Sequence, residues 1–204
     1  FPLITDPTLK LQLQKLSNYK DIRNQCEVIG NVAKDLNISL SIHPDQFNVL
    51  ASEKPSVVQK TINELNFHAK VLDMMGLAQD YSVPINIHPS LSVKNETEED
   101  FRKLVDRFYD AFSKCDTGVR NRLVIENEDK GSWNCANLFM YFYNYCSTKY
   151  NHLFPLTYDN LHDHCNPSIF ENNQITIQQN IEAFSQTWPE SFIPVLQKVM
   201  KWLD

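Results

Sequence analysis

The sequence predicts an α/β fold, a (β/α) barrel of the TIM type that is incomplete at one or both ends. Three observations carry this. Short segments dense in β-branched and aliphatic residues alternate with helix-period segments along the whole chain, the order that gives parallel strands with right-handed crossovers. Each of four predicted strands runs straight into a side chain of metal-ligand type. No Gly-x-Gly-x-x-Gly turn occurs, so a doubly wound sheet lacks its usual phosphate-binding first turn.

The strands are Ile38–Ile42, Val83–Ile87, Arg122–Ile125 and Pro155–Tyr158. Between the first two, Val58, Ile62, Leu65, Ala69 and Leu72 form a stripe at helical spacing, opened by Pro55-Ser56 and closed by Gly76. Thr97-Glu-Glu-Asp caps the next helix, with Phe101, Leu104, Val105, Phe108 and Phe112 as its apolar face. Cys135–Tyr145 and Ile175–Phe184 supply two more helices, and the aromatic run Phe139, Tyr141, Phe142, Tyr143, Tyr145 reads as a buried face. Weak strand candidates lie at Phe1–Thr5 and Ile193–Val199. A complete barrel typically takes about 250 residues. The 204 residues here, opening on Phe rather than Met, are therefore expected to be a clipped barrel forming a single domain over 1–204.

Composition narrows the function classes. With 42% apolar and 22% charged residues the chain can bury a core, and no uninterrupted apolar run approaches a membrane span, so a soluble protein is expected. The formal charge of −6 disfavours a dedicated nucleic-acid binder, except where bound divalent ions reverse the sign of a carboxylate cluster. Five cysteines without a Cys-x-x-Cys spacing fit reduced thiols, hence an intracellular setting, cytoplasmic or nuclear.

The strand-end residues carry the chemistry. Ile42 leads into His43, Ile87 into His88, Ile125 into Glu126 and Tyr158 into Asp159, at intervals of 45, 38 and 33 residues, each long enough for one strand, one helix and two loops. A barrel gathers all strand carboxyl ends on one face. A lone histidine at such a place is more often structural than a ligand, but four consecutive strand ends form a pattern. His162 adds a fifth ligand, three residues after Asp159. Oxygen and imidazole donors without thiolates suit Mn²⁺, Zn²⁺, Mg²⁺ or Fe²⁺. Five ligands exceed what one catalytic zinc uses, so two ions sharing a carboxylate are expected, a pair that can polarise a phosphate and activate water. His68 and His152 read as structural, and His164 as either a surface group or a partner of the neighbouring ligands. On the same rim, Gln46 and Phe47 after His43-Pro-Asp would project an amide and a ring, chemistry suited to entering a distorted base stack, although the residues by themselves favour the plainer reading of a loop aromatic packed on its neighbours.

Ser41-Ile-His43-Pro-Asp-Gln46-Phe47, Asn86-Ile-His88-Pro, Val124-Ile-Glu126-Asn-Glu-Asp129 and Tyr158-Asp159-Asn-Leu-His162, in this order, resemble the ultraviolet damage endonuclease family. Thr187-Trp188-Pro189 and the opening Phe1-Pro2-Leu-Ile-Thr-Asp6-Pro7 are similar to it too. The resemblance implies a TIM-barrel repair enzyme holding up to three divalent metals, often manganese. Such enzymes nick damaged double-stranded DNA 5′ to ultraviolet photoproducts and, in some members, to abasic sites. It implies metal ligation by His43, His88, Glu126, Asp159 and His162, catalytic roles for Glu126 and Asp159, and lesion probing by Gln46 and Phe47. Asp6 stands where many members have a histidine and is an additional ligand candidate. The family's first strands would precede Phe1. Its late Lys-x-His-x-Ser strand and glutamate find no match in Phe192–Asp204, where Lys198 is a poor counterpart. Two other readings therefore stand beside a repair endonuclease, monomeric by default: a degenerate protein that binds damaged DNA without cutting it, and a metal-dependent barrel of the sugar-isomerase kind.

Overall fold

The computed structural model describes residues 5–6, 8–9, 11–170 and 173–192. Chain contacts gather in two compact units, one of residues 1–87 and 107–123, the other of residues 88–106 and 124–204. The strand candidates Phe1–Thr5, save Thr5, and Ile193–Val199, together with Lys198, lie outside the described residues.

In the first unit a 3-10 turn, Leu13–Lys15, precedes helix α1, Tyr19–Asp35. Apolar periodicity does not reveal α1, because its buried positions are the small residues Cys26, Gly30 and Ala33, whereas Val28, Ile29 and Val32 are exposed. Gly30 passes so close to the carbonyl of Met75 that a Cβ there would collide with it. Helix α2, Pro55–Met74, buries Ile62, Leu65, Ala69 and Leu72 of the predicted stripe and leaves Val58 half-buried, with Pro55 in its first turn. Strand β1 is Ile85–Ile87, within the predicted segment.

The expected strand Ile38–Ile42 reduces to one parallel bridge, Ile42 to Ile85. The cause is local. Asn37 is left-handed (φ 53°), and α1 ends in a two-bond clasp in which Asn37 N–H donates to Lys34 O and Ile38 N–H to Ala33 O. That motif consumes the N–H with which a strand would begin.

Helices α3, Glu98–Ser113, and α4, Thr117–Arg120, follow. Before β2 stands Arg122, fully buried in the first unit. Its guanidinium donates to the carbonyls of Ala78, Leu77, Ala69 and Gly118 at 2.9 to 3.4 Å and pairs with Asp73 at 2.8 Å.

Strand β2, Leu123–Glu126, enters the second unit at Val124 and there pairs in parallel with β3, Leu156–Thr157, in the register Ile125 to Leu156 and Glu126 to Thr157. The predicted helix after Cys135 is longer than expected and changes pitch. It comprises α5, Cys135–Asn137, a π-helical stretch, Leu138–Tyr143, and α6, Asn144–Tyr150, ending at left-handed Asn151. The aromatic run is partly a core face: Phe142 packs edge-on to Trp133 and Phe154, and Tyr141 stacks on Phe101 at 4.3 Å. Helix α7, Asn160–Cys165, a hairpin of β4, Ile169–Phe170, with β5, Asn173–Gln174, and α8, Ile177–Ser185, complete the described chain. Thr187 and Trp188 brace β3 from its far side. The Thr187 hydroxyl accepts from Leu156 N–H at 2.8 Å, and the Trp188 indole donates to Leu156 O at 2.8 Å. They occupy both main-chain polar groups that β3 turns away from β2.

The class is thus α/β with parallel pairing. No helix among the described residues is long and apolar enough to cross a membrane.

Candidate metal centre

The second unit brings together four of the predicted ligands. Glu126, the last residue of β2, is buried. Its Oε1 lies 3.5 Å from His162 Nδ1 and 3.9 Å from His88 Nε2, and the two imidazole rings are 5.3 Å apart. Donor atoms of Glu126, Asp159 and His162 all lie within 4.8 Å of one another. Bonds to such ions run about 2.0–2.3 Å, so two ligands of one ion are separated by at most about 4.5 Å; the 3.5 and 3.9 Å contacts fall within that span, and the 4.8 Å bound on the trio lies just above it.

Hydrogen bonds orient the ligands. His162 Nδ1 faces the carbonyl oxygen of Asn127 at 2.9 Å, and His88 Nδ1 faces that of Glu126 at 3.4 Å. A carbonyl only accepts, so these contacts place the proton on Nδ1; for His88 that leaves Nε2, the atom nearest Glu126, with its lone pair for a cation, whereas in His162 Nδ1 itself is the nitrogen nearest Glu126. Asp159 caps α7, its Oδ1 accepting from Leu161 N–H and His162 N–H at 2.8 and 2.9 Å. One carboxylate oxygen thereby builds the turn that brings His162 round.

Two further residues of the Glu126-Asn-Glu-Asp129 motif matter, and the sequence alone does not single them out. Asn127 is fully buried; its Nδ2 donates to Asp159 O at 3.0 Å, and its Oδ1 accepts from Asp159 N–H at 2.8 Å. This side chain extends the β2–β3 ladder by one rung and fixes where Asp159 leaves the sheet. Glu128 accepts from Ser90 N–H at 2.6 Å, holding the turn after His88 in which Ser90 is left-handed (φ 68°). Burial pushes the Glu128 carboxyl up to about 7, against the pull of that hydrogen bond. The motif's charged spacing is legible in the chain; the hydrogen-bonding roles need the register.

The remaining predicted residues belong to the first unit. His43 is exposed, with Nδ1 2.9 Å from Pro44 O. Asp45 accepts from Phe47 N–H at 2.9 Å and Asn48 N–H reaches Asp45 O at 3.2 Å, a tight turn that leaves Gln46 exposed and Phe47 74% exposed. Asp6 accepts from the Thr8 hydroxyl and N–H, which holds its carboxyl below the usual value, and it lines a cavity of about 500 Å³ with Asn63, Asn66, Phe67 and Lys70. Of the histidines outside the ligand set, His68 and His152 are half-buried, and burial lowers both, in keeping with structural roles. His164 is exposed.

The donor set fits a divalent cation: two carboxylates and two imidazoles at the carboxyl ends of parallel strands, with no thiolate among them. This is an α/β protein with a candidate metal centre at its strand ends. Residues 1–200 match the family model described as UV-endonuclease UvdE, and the chain belongs to that family. It is similar to SacUVDE, known from a crystal structure, at 27% identity and a TM-score of 0.69 over 91% of this chain and 55% of that one. Over 102 residues it is 36% identical to the UV DNA damage endonuclease of Bacillus cereus strain Q1 and 33% identical to that of Bacillus anthracis strain A0248. Each of these alignments spans 50% of this chain and 30% of the relative, so the match covers under a third of the curated proteins' length.

Proposed function

We propose that the chain is the barrel portion of a metal-dependent DNA-repair endonuclease that nicks double-stranded DNA 5′ to ultraviolet photoproducts, with abasic sites as further substrates. The convergence of Glu126, Asp159 and His162 within 4.8 Å is the observation that carries the reading, and membership of the UvdE family supports it. In this reading residues 1–204 form one TIM-type domain, incomplete at its ends, working as an intracellular monomer.

His88, Glu126, Asp159 and His162 would hold divalent ions, Mn²⁺ first among the candidates, with His43 and Asp6 as further ligands on the strength of their motifs. Ions bound there would neutralise charge on the phosphate oxygens and acidify the attacking water. The chain's own residues do the rest. Glu126 and Asp159 present fixed negative oxygens, Asn127 and the Asp159 cap hold them still, and the Nδ1–H bonds keep both imidazoles in one tautomer. Gln46 and Phe47, carried outward by the Asp45 turn, would enter the stack at the lesion, the ring stacking and the amide serving base edges left unpaired. Exposed Lys54, Lys60, Lys94 and Lys130 would meet backbone phosphates despite the acidic total.

The test is incubation with an end-labelled, ultraviolet-irradiated duplex and Mn²⁺. A nick on the 5′ side of the photoproduct, absent with undamaged duplex and abolished by EDTA, is expected. Tight binding of irradiated DNA without a nick would instead select the non-cutting binder.

A further inference from the structure

Helix α7 carries His162 yet has only six residues, too few to hold its own position in water. Asp159 caps one end. The other anchor is Asp163, which is 4% exposed and follows His162 directly. Its Oδ2 accepts from the Tyr158 hydroxyl at 2.8 Å and from Asn180 Nδ2, on α8, at 3.1 Å. Its Oδ1 is sealed from solvent and meets no N–H or O–H donor among the described residues. The Cys135 thiol stands against this carboxyl group, and burial together with the neighbouring Asp163 pushes that thiol up.

A carboxyl group can accept at both oxygens, and here Oδ2 alone takes both the Tyr158 and the Asn180 bonds. The bonds it makes have a particular placement. Tyr158 immediately precedes Asp159, and Asp163 immediately follows His162. The Tyr158–Asp163 bond therefore closes a loop whose interior holds both ligands, and Asn180 ties that loop to the body of the second unit.

We propose that Asp163 is a positioning residue which, through Tyr158 and Asn180, sets the spacing of Asp159 and His162 and so the affinity of the site for its cation. This role rests on the metal-site reading of the same residues. None of Tyr158, Asp163 and Asn180 belongs to the candidate ligand set: the clasp acts by restricting where the two ligand side chains can be.

The experiment uses the full chain and three variants, Tyr158→Phe, Asp163→Asn and Asn180→Ala, with His162→Ala as a ligand-loss control. Folding is followed by thermal unfolding in EDTA. Mn²⁺ affinity is followed through the electron paramagnetic resonance signal of the free ion, and geometry through the visible absorption of bound Co²⁺. Tyr158→Phe leaves every candidate ligand and nearly all the packing intact, so it decides the matter even if Asp163→Asn fails to fold. The expected result is a folded Tyr158→Phe protein whose Mn²⁺ dissociation constant rises about tenfold and whose Co²⁺ spectrum is altered, the size typical of losing a supporting partner. Folded variants with unchanged Mn²⁺ affinity and an unchanged Co²⁺ spectrum would overturn the positioning role while leaving the metal site standing. A wild-type chain that binds neither ion would overturn the metal reading and this proposal with it.

Discussion

Asn127 holds Asp159 by both of its main-chain polar groups, donating to its carbonyl at 3.0 Å and accepting from its N–H at 2.8 Å, while its own carbonyl faces His162 Nδ1 at 2.9 Å. One buried amide thus governs two candidate ligands. Asn127→Ala removes the side-chain clamp and leaves the N–H and C=O of Asp159 without it, at about 1–3 kcal/mol. The expected outcome is a loss of that size in urea unfolding, together with Mn²⁺ binding about tenfold weaker in the folded protein. A stability loss with unaltered Mn²⁺ affinity would show that Asn127 serves the sheet alone.

Phe47 is 74% exposed on a turn tied by Asp45, so it contributes little to the fold. Phe47→Ala should leave the melting temperature within experimental error. If the ring stacks at the lesion, its removal forfeits about 1–3 kcal/mol, or roughly 5- to 150-fold in affinity for irradiated duplex, with undamaged duplex little affected. Equal losses on both duplexes would assign the ring to general DNA contact.

Much of the fold is legible in periodicity, and the failures are as local as the successes. The stripe of α2 consists of large apolar residues, and large residues mark a buried face unambiguously. Helix α1 meets its neighbour through Cys26, Gly30 and Ala33, because the close passage at Met75 admits nothing larger, and small residues leave no hydrophobic signature. Ile38–Ile42 has strand composition, but the left-handed Asn37 diverts its first N–H into a helix cap. At the site, ligand-type residues stand out because charged groups directly after apolar strands are conspicuous. Asn127, Glu128 and Asp163 do not, since their roles depend on which main-chain and side-chain atoms the fold brings opposite them.

Arg122 is a stability residue by its surroundings. Fully buried, it serves four carbonyls and pairs with Asp73. Arg122→Ala leaves those acceptors without their donor and Asp73 without its counter-ion, and should cost about 3–5 kcal/mol by chemical denaturation. Arg122→Lys restores the charge but not the planar fork of donors, and should recover less than half of that loss. Full recovery by lysine would reduce the role to charge alone.

Glu128 makes stability depend on pH in a direction opposite to that of most carboxylates. Burial raises it to about 7 from an ordinary value near 4.5, so between those values the folded chain holds a proton that the unfolded chain has released. Its contribution is fully present below pH 4.5 and is lost as pH rises to 7. His68 and His152, lowered by burial, act in the other direction, losing stability as pH falls through their range. Comparison with Glu128→Gln separates them: for the metal-free protein, the difference in unfolding free energy between wild type and variant should change across pH 4.5–7 and level off above it. A difference independent of pH would contradict the raised value.

The central claim is that Glu126, Asp159 and His162 grip a shared divalent cation. Its most direct measurement is the anomalous scattering of a crystal of the protein grown with Mn²⁺. The predicted result is a peak at bonding distance, about 2.0–2.3 Å, from a carboxylate oxygen of Glu126, one of Asp159 and a ring nitrogen of His162. A crystal saturated with Mn²⁺ that shows no peak there, or shows it at other residues only, would contradict the claim.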